Sequence, residues 1–497
     1  MRDRRPKTKD QRPKTKDQRP KTEDGGRGCL KHNPKLPLVT MTDSDLMISV
    51  SGIRGRVGFG LSPEVVARYA AAFGAWALQH ASGRRRAVVL GRDSRVSGPL
   101  FHQVARAALE SVGADVIDLG LTTTPTLQLA VEHHHAAGGL CITASHNPVE
   151  WNALKCVGPA GLFLNAAEGA AMRALLDTGI PYATWDRLGT THFDGDAIAR
   201  HLQAVLTLPF INVGAIRARG FRVAYDACRG AGGAIIPHLL ELLGCEVHAI
   251  NLETDGRFPR APEPVPENLG DLEQLVKDTG AQIGFATDPD VDRLAVVSNE
   301  GVAIGEDYTL AFACRVVLRH RKGPVVTNLS TSRVVDDAAA DHGQRVIRAP
   351  VGEVNVALRI RAEHAVIGGE GNGGVILPDL HLGRDAPLGV ALVLQLLLED
   401  PRTVAQIVAG APRYAIIKDK LPKPDAPLDT VYAALRAAFP AAEADTQDGL
   451  RLGWPDRWVH IRPSGTEPVV RVIAEAPTRA GAQKLVERGR ELLAGVS

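Results

Sequence analysis

Paired cysteines, long apolar runs and a charge excess of one sign are all missing from this chain, and each absence removes a class of explanation. The six cysteines (Cys29, Cys141, Cys156, Cys228, Cys245 and Cys314) are scattered without a CxxC spacing, which supports neither a disulfide framework nor a zinc site. Free thiols fit a reducing compartment. No apolar stretch reaches the roughly 18 to 20 residues that cross a bilayer, and no charged segment followed by an apolar run and a cleavage site opens the chain. A cytoplasmic protein with no membrane partner is the expectation. The formal charge is only +2, from 58 basic and 56 acidic residues, so nucleic acid is not expected as a partner either.

What is present is an ordinary globular composition, 44% apolar and 23% charged, spread over 497 residues. That is more chain than one core serves, and roughly three or four domains are expected. The first 24 residues carry a tandem heptapeptide, Arg5-Pro-Lys-Thr-Lys-Asp-Gln11, repeated over 12–18 and degraded over 19–24. With almost nothing apolar to bury, residues 1–40 read as a disordered basic tail. It is open whether they are an arm for an acidic partner, a solvated extension, or translated sequence upstream of a natural start at Met41.

From Met41 onward, β-branched runs alternate with Ala- and Leu-rich stretches. Strand, helix and strand are expected at Ala87–Gly91, Phe101–Val112 and Asp115–Leu119. The rhythm returns at Arg222–Asp226, Ala234–Leu243 and Glu246–Asn251, and again at Val325–Asn328, Ser332–His342 and Arg345–Arg348. The segment Asp255–Glu267 is too rich in proline and glycine for a helix or inner strand and reads as an ordered loop. After about Gly410 the pattern becomes paired strands, Trp458–Ile461 and Val469–Ala474, followed by an amphipathic helix over Arg479–Leu493. The fold class expected is therefore α/β: three successive similar α/β domains (41–195, 196–300, 301–410) and a smaller C-terminal α+β domain (411–497).

Four segments carry chemistry. The strand-like run Gly139–Thr143 leads into Ala144-Ser-His-Asn-Pro148, which puts the Ser145 hydroxyl on a loop at a strand's carboxyl end, where α/β folds build sites. Pro148 restricts the residue before it. His146 is a candidate to orient or neutralise a phosphorylated serine, and Lys155, ten residues beyond Ser145, to neutralise phosphate or donate a proton. Taken singly, Ser145 reads as a turn or capping residue and Lys155 as a surface charge. Asp288, Asp290 and Asp292 alternate after the apolar run Ile283–Ala286, so period-two geometry is expected to turn all three to one side. Crowded carboxylates repel unless a hard cation relieves them, and magnesium suits all-oxygen ligands. An EF-hand is excluded, since Arg293 and Asn299 stand at its sixth and twelfth positions. Arg293 is a ready phosphate partner. Arg462-Pro-Ser-Gly-Thr-Glu-Pro468 joins a guanidinium, two hydroxyls and a glycine, a composition suited to a phosphate monoester as well as to a plain turn. The glycine-rich Gly368-Gly-Glu-Gly-Asn-Gly-Gly374 holds a carboxylate and an amide fit for sugar hydroxyls.

Together with Ser51-Gly-Ile-Arg-Gly-Arg-Val-Gly58 and Gly91-Arg-Asp-Ser-Arg95, these segments resemble, in order, the signatures of the α-D-phosphohexomutase family from about Ser49 to the C-terminus. The resemblance implies four domains around one cleft, contributing in turn a phosphoserine, a metal site, a sugar loop and a phosphate loop. Ser145 would be the phosphoserine. Mg2+ would be held by Asp288, Asp290, Asp292 and a phosphate oxygen on Ser145. Glu370 and Asn372 would read sugar hydroxyls; Arg462, Ser464, Gly465 and Thr466 would bind the substrate's phosphate, and Arg54 and Lys155 would assist transfer. A hexose 1,6-bisphosphate is implied as intermediate and activator, and a small sugar phosphate as the partner, with glucosamine phosphate the first expectation ahead of mannose or glucose phosphate. A phosphatase and an inactive sugar-phosphate-binding protein are the rival readings. The chain departs from the pattern at Pro289 and Ala153, where glycine is usual, and at Asn372 and Gly374, where many members have serine and histidine. The last departure leaves the general base to Lys155 or His146.

Overall fold

The computed structural model describes residues 46–424, 427–464 and 469–495; the N-terminal repeat, Met41, Gly465 and Thr466 lie outside the described residues. Four sheets occur among the described residues. In the first, β1 (Leu46–Ser49), β2 (Gly52–Arg56), β3 (Arg85–Arg92), β4 (Asp115–Leu121), β5 (Ala136–Ile142), β6 (Trp151–Val157) and β7 (Thr191–Phe193) take the order β1-β2-β6-β5-β3-β4-β7. Its centre is parallel, and β6 returns antiparallel to β5. Ala87 to Leu90 of β3 and all of β5 are buried, as befits inner parallel strands covered on both faces. Gly139 lets β5 come that close to its covering helix: a Cβ there would stand 2.6 Å from a methyl of Val131.

The second sheet contains β8 (Arg222–Asp226), β9 (Glu246–Ile250), β10 (Ile283–Thr287) and β11 (Leu294–Val297) in the order β11-β10-β8-β9. The third contains β12 (Val325–Asn328), β13 (Val346–Ala349), β14 (Ile367–Glu370) and β15 (Gly374–Ile376) in the order β13-β12-β14-β15. Counted from the antiparallel strand, both repeat the β6-β5-β3-β4 arrangement of the first sheet. The same connection therefore recurs three times, a short link from a parallel strand to the antiparallel strand beside it. Those three links are 143–150, 288–293 and 371–373, the serine, aspartate and sugar loops. The fourth sheet, β16 (Ala415–Pro422), β17 (Glu443–Asp445), β18 (Leu450–Gly453), β19 (Trp458–Pro463) and β20 (Val469–Ala476), is wholly antiparallel in the order β16-β20-β19-β18-β17. Val470, Val472 and Ala474 face its core at period two. The fold class agrees with the sequence expectation.

Helix ends differ from that expectation for local reasons. The helix expected from Phe101 begins at Gly98, because Pro99 is tolerated in a first turn. The one expected over Ser332–His342 is confined to Val334–Ala340, with the Ser332 hydroxyl accepting from Val334 N and the chain turning at Gly343. The helix Ala386–Glu399 is buried from Ala386 through Leu396, apolar all round, and belongs to one continuous core running from Leu202 to Ile407. The second and third α/β units are thus packed as one body. No described helix is long and apolar enough to cross a membrane, and the five described cysteines are unpaired.

Candidate active site

The serine loop is built around Arg95, which is fully buried. Its Nη2 donates to the carbonyls of Ser145 and Asn147, both at 2.6 Å, and its Nη1 to those of Pro148 and Trp151 at 2.7 and 2.8 Å. Nε pairs with Asp93 at 3.2 Å, and Asp93 also accepts from the Thr143 hydroxyl at 2.6 Å. The Thr143 oxygen accepts from Ser145 N at 2.9 Å. This network holds Ser145 at φ 47°, a left-handed conformation costly for a residue with a Cβ, which turns its hydroxyl out of the strand direction. The hydroxyl donates to Asp288 Oδ2 at 2.7 Å, and His146 Nδ1 lies 3.4 Å from it. Burial, with Arg293 and Arg54 close by, keeps the His146 imidazole well below its usual pKa. Arg54 donates to Asn147 Oδ1 at 2.6 Å.

Asp288, Asp290 and Asp292 are fully buried, and one oxygen from each lies within 4.8 Å of the others. Period-two alternation is not the cause. Alternate residues of a strand stand roughly 6.6 Å apart, and β10 ends at Thr287. The carboxylates converge because 288–293 is a turn, closed by Val291 N donating to Asp288 O at 3.2 Å and with Val291 itself at φ 65°. Burial, then the charges of Asp290 and Asp292, push the Asp288 carboxyl well up. Burial acts the same way on Asp290, but Lys155 Nζ at 2.6 Å and the Thr124 hydroxyl at 2.7 Å outweigh it and bring that group down. Desolvation would lower Lys155, and Asp290 with Asp292 outweighs it, so the ammonium stays protonated. Oδ1 of Asp290 and Oδ1 of Asp292 are buried without a hydrogen-bond partner. Three buried carboxylates that keep two oxygens without a hydrogen bond, even beside Lys155 and Arg384, fit a hard divalent cation. Thr124, at the start of the helix Thr124–His133, also donates its backbone N–H to Asp290 O at 2.9 Å, docking the first unit on this turn through a donor that a helix leaves unpaired.

A cleft of about 480 Å3 opens over the serine. Ser145, His146, Arg54 and Lys155 line one side, Arg293 and the sugar loop another. Arg293 donates to Glu263 Oε1 at 3.2 Å, from the proline-rich 255–267 loop. Glu370, at the end of β14, accepts from Asn328 Nδ2 at 2.8 Å and from Gly352 N at 3.1 Å. Asn372 Nδ2 reaches its other oxygen at 3.3 Å. Burial pushes Glu370 up, but Arg384, which donates to it at 2.8 Å, and Asn328 more than offset this. The fourth unit contributes Arg462, Lys418 and Arg471 to the cleft; Arg462 Nε is 2.8 Å from Asp448 Oδ2. Ser464, whose N donates to Val469 O at 2.8 Å, is half-buried and does not line the cleft.

The segments Phosphoglucomutase/phosphomannomutase alpha/beta/alpha domain I, II and III match residues 46–181, 199–301 and 305–414, and the C-terminal domain of the same name matches 417–492. The chain belongs to the phosphoglucomutase/phosphomannomutase family. It is accordingly an isomerase, a phosphohexomutase. Among relatives, a "Probable phosphoglucosamine mutase" of Methanopyrus kandleri is 37% identical over 89% of this chain and 95% of its own length. A "Phosphoglucomutase/phosphomannomutase" of Thermococcus kodakarensis is 36% identical over 89% and 97%. A crystal structure of a phosphoglucomutase/phosphomannomutase family protein from Burkholderia thailandensis superposes with a TM-score of 0.79 at 27% identity, over 92% of this chain and 98% of that one. Two residues central to this family member's site escaped the sequence reading. Arg95 was visible only as part of a signature, and Arg384 stood in no motif, although the pair Arg384-Asp385 ahead of Pro387 and an apolar run marks a helix start.

Proposed function

We propose that the protein interconverts hexose 1- and 6-phosphates through a phosphorylated Ser145, with glucosamine phosphate as its substrate. The observation that carries this reading is the 2.7 Å contact of the Ser145 hydroxyl with Asp288, beneath a cleft that also presents Arg462. The names of the relatives support the choice of glucosamine, and the Thermococcus kodakarensis relative keeps mannose and glucose phosphates as the second reading.

In the forward step the P–O bond to Ser145 breaks as one forms to the free hydroxyl of the sugar phosphate. The sugar hydroxyl gives up a proton and the seryl oxygen takes one. The resulting hexose 1,6-bisphosphate turns over in the cleft, and Ser145 takes back the other phosphoryl group. His146, beside the seryl oxygen, is placed to hold the proton there, while protonated Lys155 serves as a fixed positive charge. This reading gives the proton-handling role to His146 in preference to Lys155. Arg54 and Arg293 face the transferring group, and Arg462 receives the phosphate that stays. Such a transition state asks for positioning and charge stabilisation more than covalent chemistry. Asp288, Asp290 and Asp292 would hold Mg2+, which offsets negative charge on the phosphoryl oxygens.

The test is to supply magnesium, a trace of hexose 1,6-bisphosphate and, separately, glucosamine, mannose and glucose 1-phosphates, following 6-phosphate formation and free phosphate together. Glucosamine 1-phosphate should turn over fastest with little phosphate released, and Ser145→Ala should give no isomer. Phosphate release outrunning isomer formation would mean a phosphatase instead.

A further inference from the structure

Arg384 reaches the site from the residue before the Asp385 cap of the helix Ala386–Glu399, and it is 7% exposed. Each of its nitrogens meets a different carboxylate. Nη2 donates to Asp292 Oδ2 at 2.5 Å, Nη1 donates to Glu370 Oε2 at 2.8 Å, and Nε forms an ion pair with Glu353 Oε2 at 3.0 Å that lies off the hydrogen-bonding direction. These acids come from three elements: the turn after β10, the end of β14 and the first turn of the helix Glu353–Glu363. Because the guanidinium takes Oδ2 of Asp292, Oδ1, which has no hydrogen bond and only Arg293 Nε at 3.7 Å, is the oxygen left for a cation. Glu370 accepts from Arg384, Asn328 and Gly352, and more loosely from Asn372 at 3.3 Å, so the carboxylate is fixed in place.

Room for this side chain is made at position 374. A Cβ on Gly374 would stand 2.8 Å from Arg384 Cγ and closer still to Cδ. Gly374 is not among the residues with positive φ, so space rather than backbone conformation demands glycine there. The side chain absent from 374 and the guanidinium present from 384 are two halves of one arrangement.

We propose that Arg384 is a positioning residue that holds Asp292 of the cation site and Glu370 of the sugar loop in one register, so that binding of the cation and of the sugar phosphate depends on the same guanidinium. The sugar half rests on the mutase reading of the cleft; the cation half stands without it. Lysine cannot substitute, because a single ammonium on a flexible stem cannot span three carboxylates as a planar fork does.

The experiment is calorimetric titration of the full-length protein with Mg2+ alone and with glucosamine 1-phosphate alone, alongside thermal melts. Arg384→Lys and Arg384→Met should each weaken both affinities, Mg2+ by about tenfold to a hundredfold. Asn372→Ala should weaken only the sugar phosphate. Gly374→Ala, by displacing the arginine stem, should reproduce the Arg384 effect, and it should add nothing in an Arg384→Ala background. If Arg384→Met fails to fold, Arg384→Lys and Gly374→Ala still decide. A folded Arg384→Lys protein that binds Mg2+ within about twofold of wild type, well short of the loss expected for a group orienting a ligand, overturns the proposal. Wild type that binds Mg2+ but not glucosamine 1-phosphate would refute the substrate reading, with the Mg2+ titrations still judging Arg384.

Discussion

Arg95 answers four carbonyl oxygens and one carboxylate from complete burial, which no other natural side chain can do. Arg95→Lys should therefore leave most of those acceptors and Asp93 unpaired in a dry interior, costing about 3 kcal/mol in chemical denaturation. Turnover should fall with it, because the loop that holds Ser145 left-handed loses its anchor. Asp385 poses a similar problem. It caps the helix Ala386–Glu399 through Leu388 N at 2.8 Å and accepts from His201 and His381 at 2.7 and 2.9 Å. Gly383 N donates to His381 Nδ1, so His381 Nε2 must carry its hydrogen toward Asp385. Asp385→Asn can keep the cap, but its amide hydrogens would oppose those of the imidazoles. Expected is a loss of about 2 kcal/mol, read from urea melts.

The turns matter more than the strands they end. Three times a parallel strand passes through a tight link into an antiparallel neighbour, and each link presents its polar groups toward the cleft. Glycine is required in these links where backbones meet. In the sugar loop, the carbonyl of Gly373 (φ 88°) accepts from Leu294 N at 3.1 Å, joining that loop to the strand after the aspartates. The aspartate turn concentrates negative charge that a divalent cation would relieve, so millimolar Mg2+ should raise the melting temperature of wild type. Saturation a hundredfold above Kd adds about 2.7 kcal/mol. Asp290→Asn should melt at a temperature that responds less to Mg2+, and a melting curve of wild type indifferent to Mg2+ and EDTA would remove the cation from the scheme.

Polar contacts help to join the third and fourth units. His460, buried on β19, accepts from or donates to the Ser330 hydroxyl at 2.8 Å and donates Nε2–H to Asp448 O at 2.6 Å. Arg451 donates to Leu329 O at 3.0 Å, and Val351 N to Asp448 Oδ2 at 3.0 Å. Burial first, against the opposing pull of Asp448, brings the His460 imidazole down to about 4. Its folded pKa is thus below the ordinary 6.5, so the unfolded chain binds more protons between those values. The stability this site supplies is present above pH 6.5 and is lost as pH falls toward 4. A glutamine can copy both hydrogen bonds without titrating. Over that window wild type should lose more stability than His460→Gln, measured as the melting temperature of each against pH, and parallel curves would contradict the assignment.

The alternation of apolar runs, the order of the motifs and the identities of Ser145, the three aspartates and Glu370 were legible in the sequence, because periodicity and local chemistry are properties of neighbouring residues. Val325–Asn328 and Arg222–Asp226 emerge as strands with the bounds expected for them. What could not be read is anything set by groups far apart along the chain. The aspartates gather by a turn stabilised from another unit through Thr124, 166 residues away. Arg384 meets Asp292 across 92 positions, and Arg95 meets the serine loop across 50. Burial shifts His146 and Asp288, and the aspartates packed against Lys155 outweigh burial there, both of which exist only once the units have packed. Local sequence names the groups that can do phosphoryl chemistry; packing decides which of them stand within reach of one another, because distance and desolvation are properties of the folded chain.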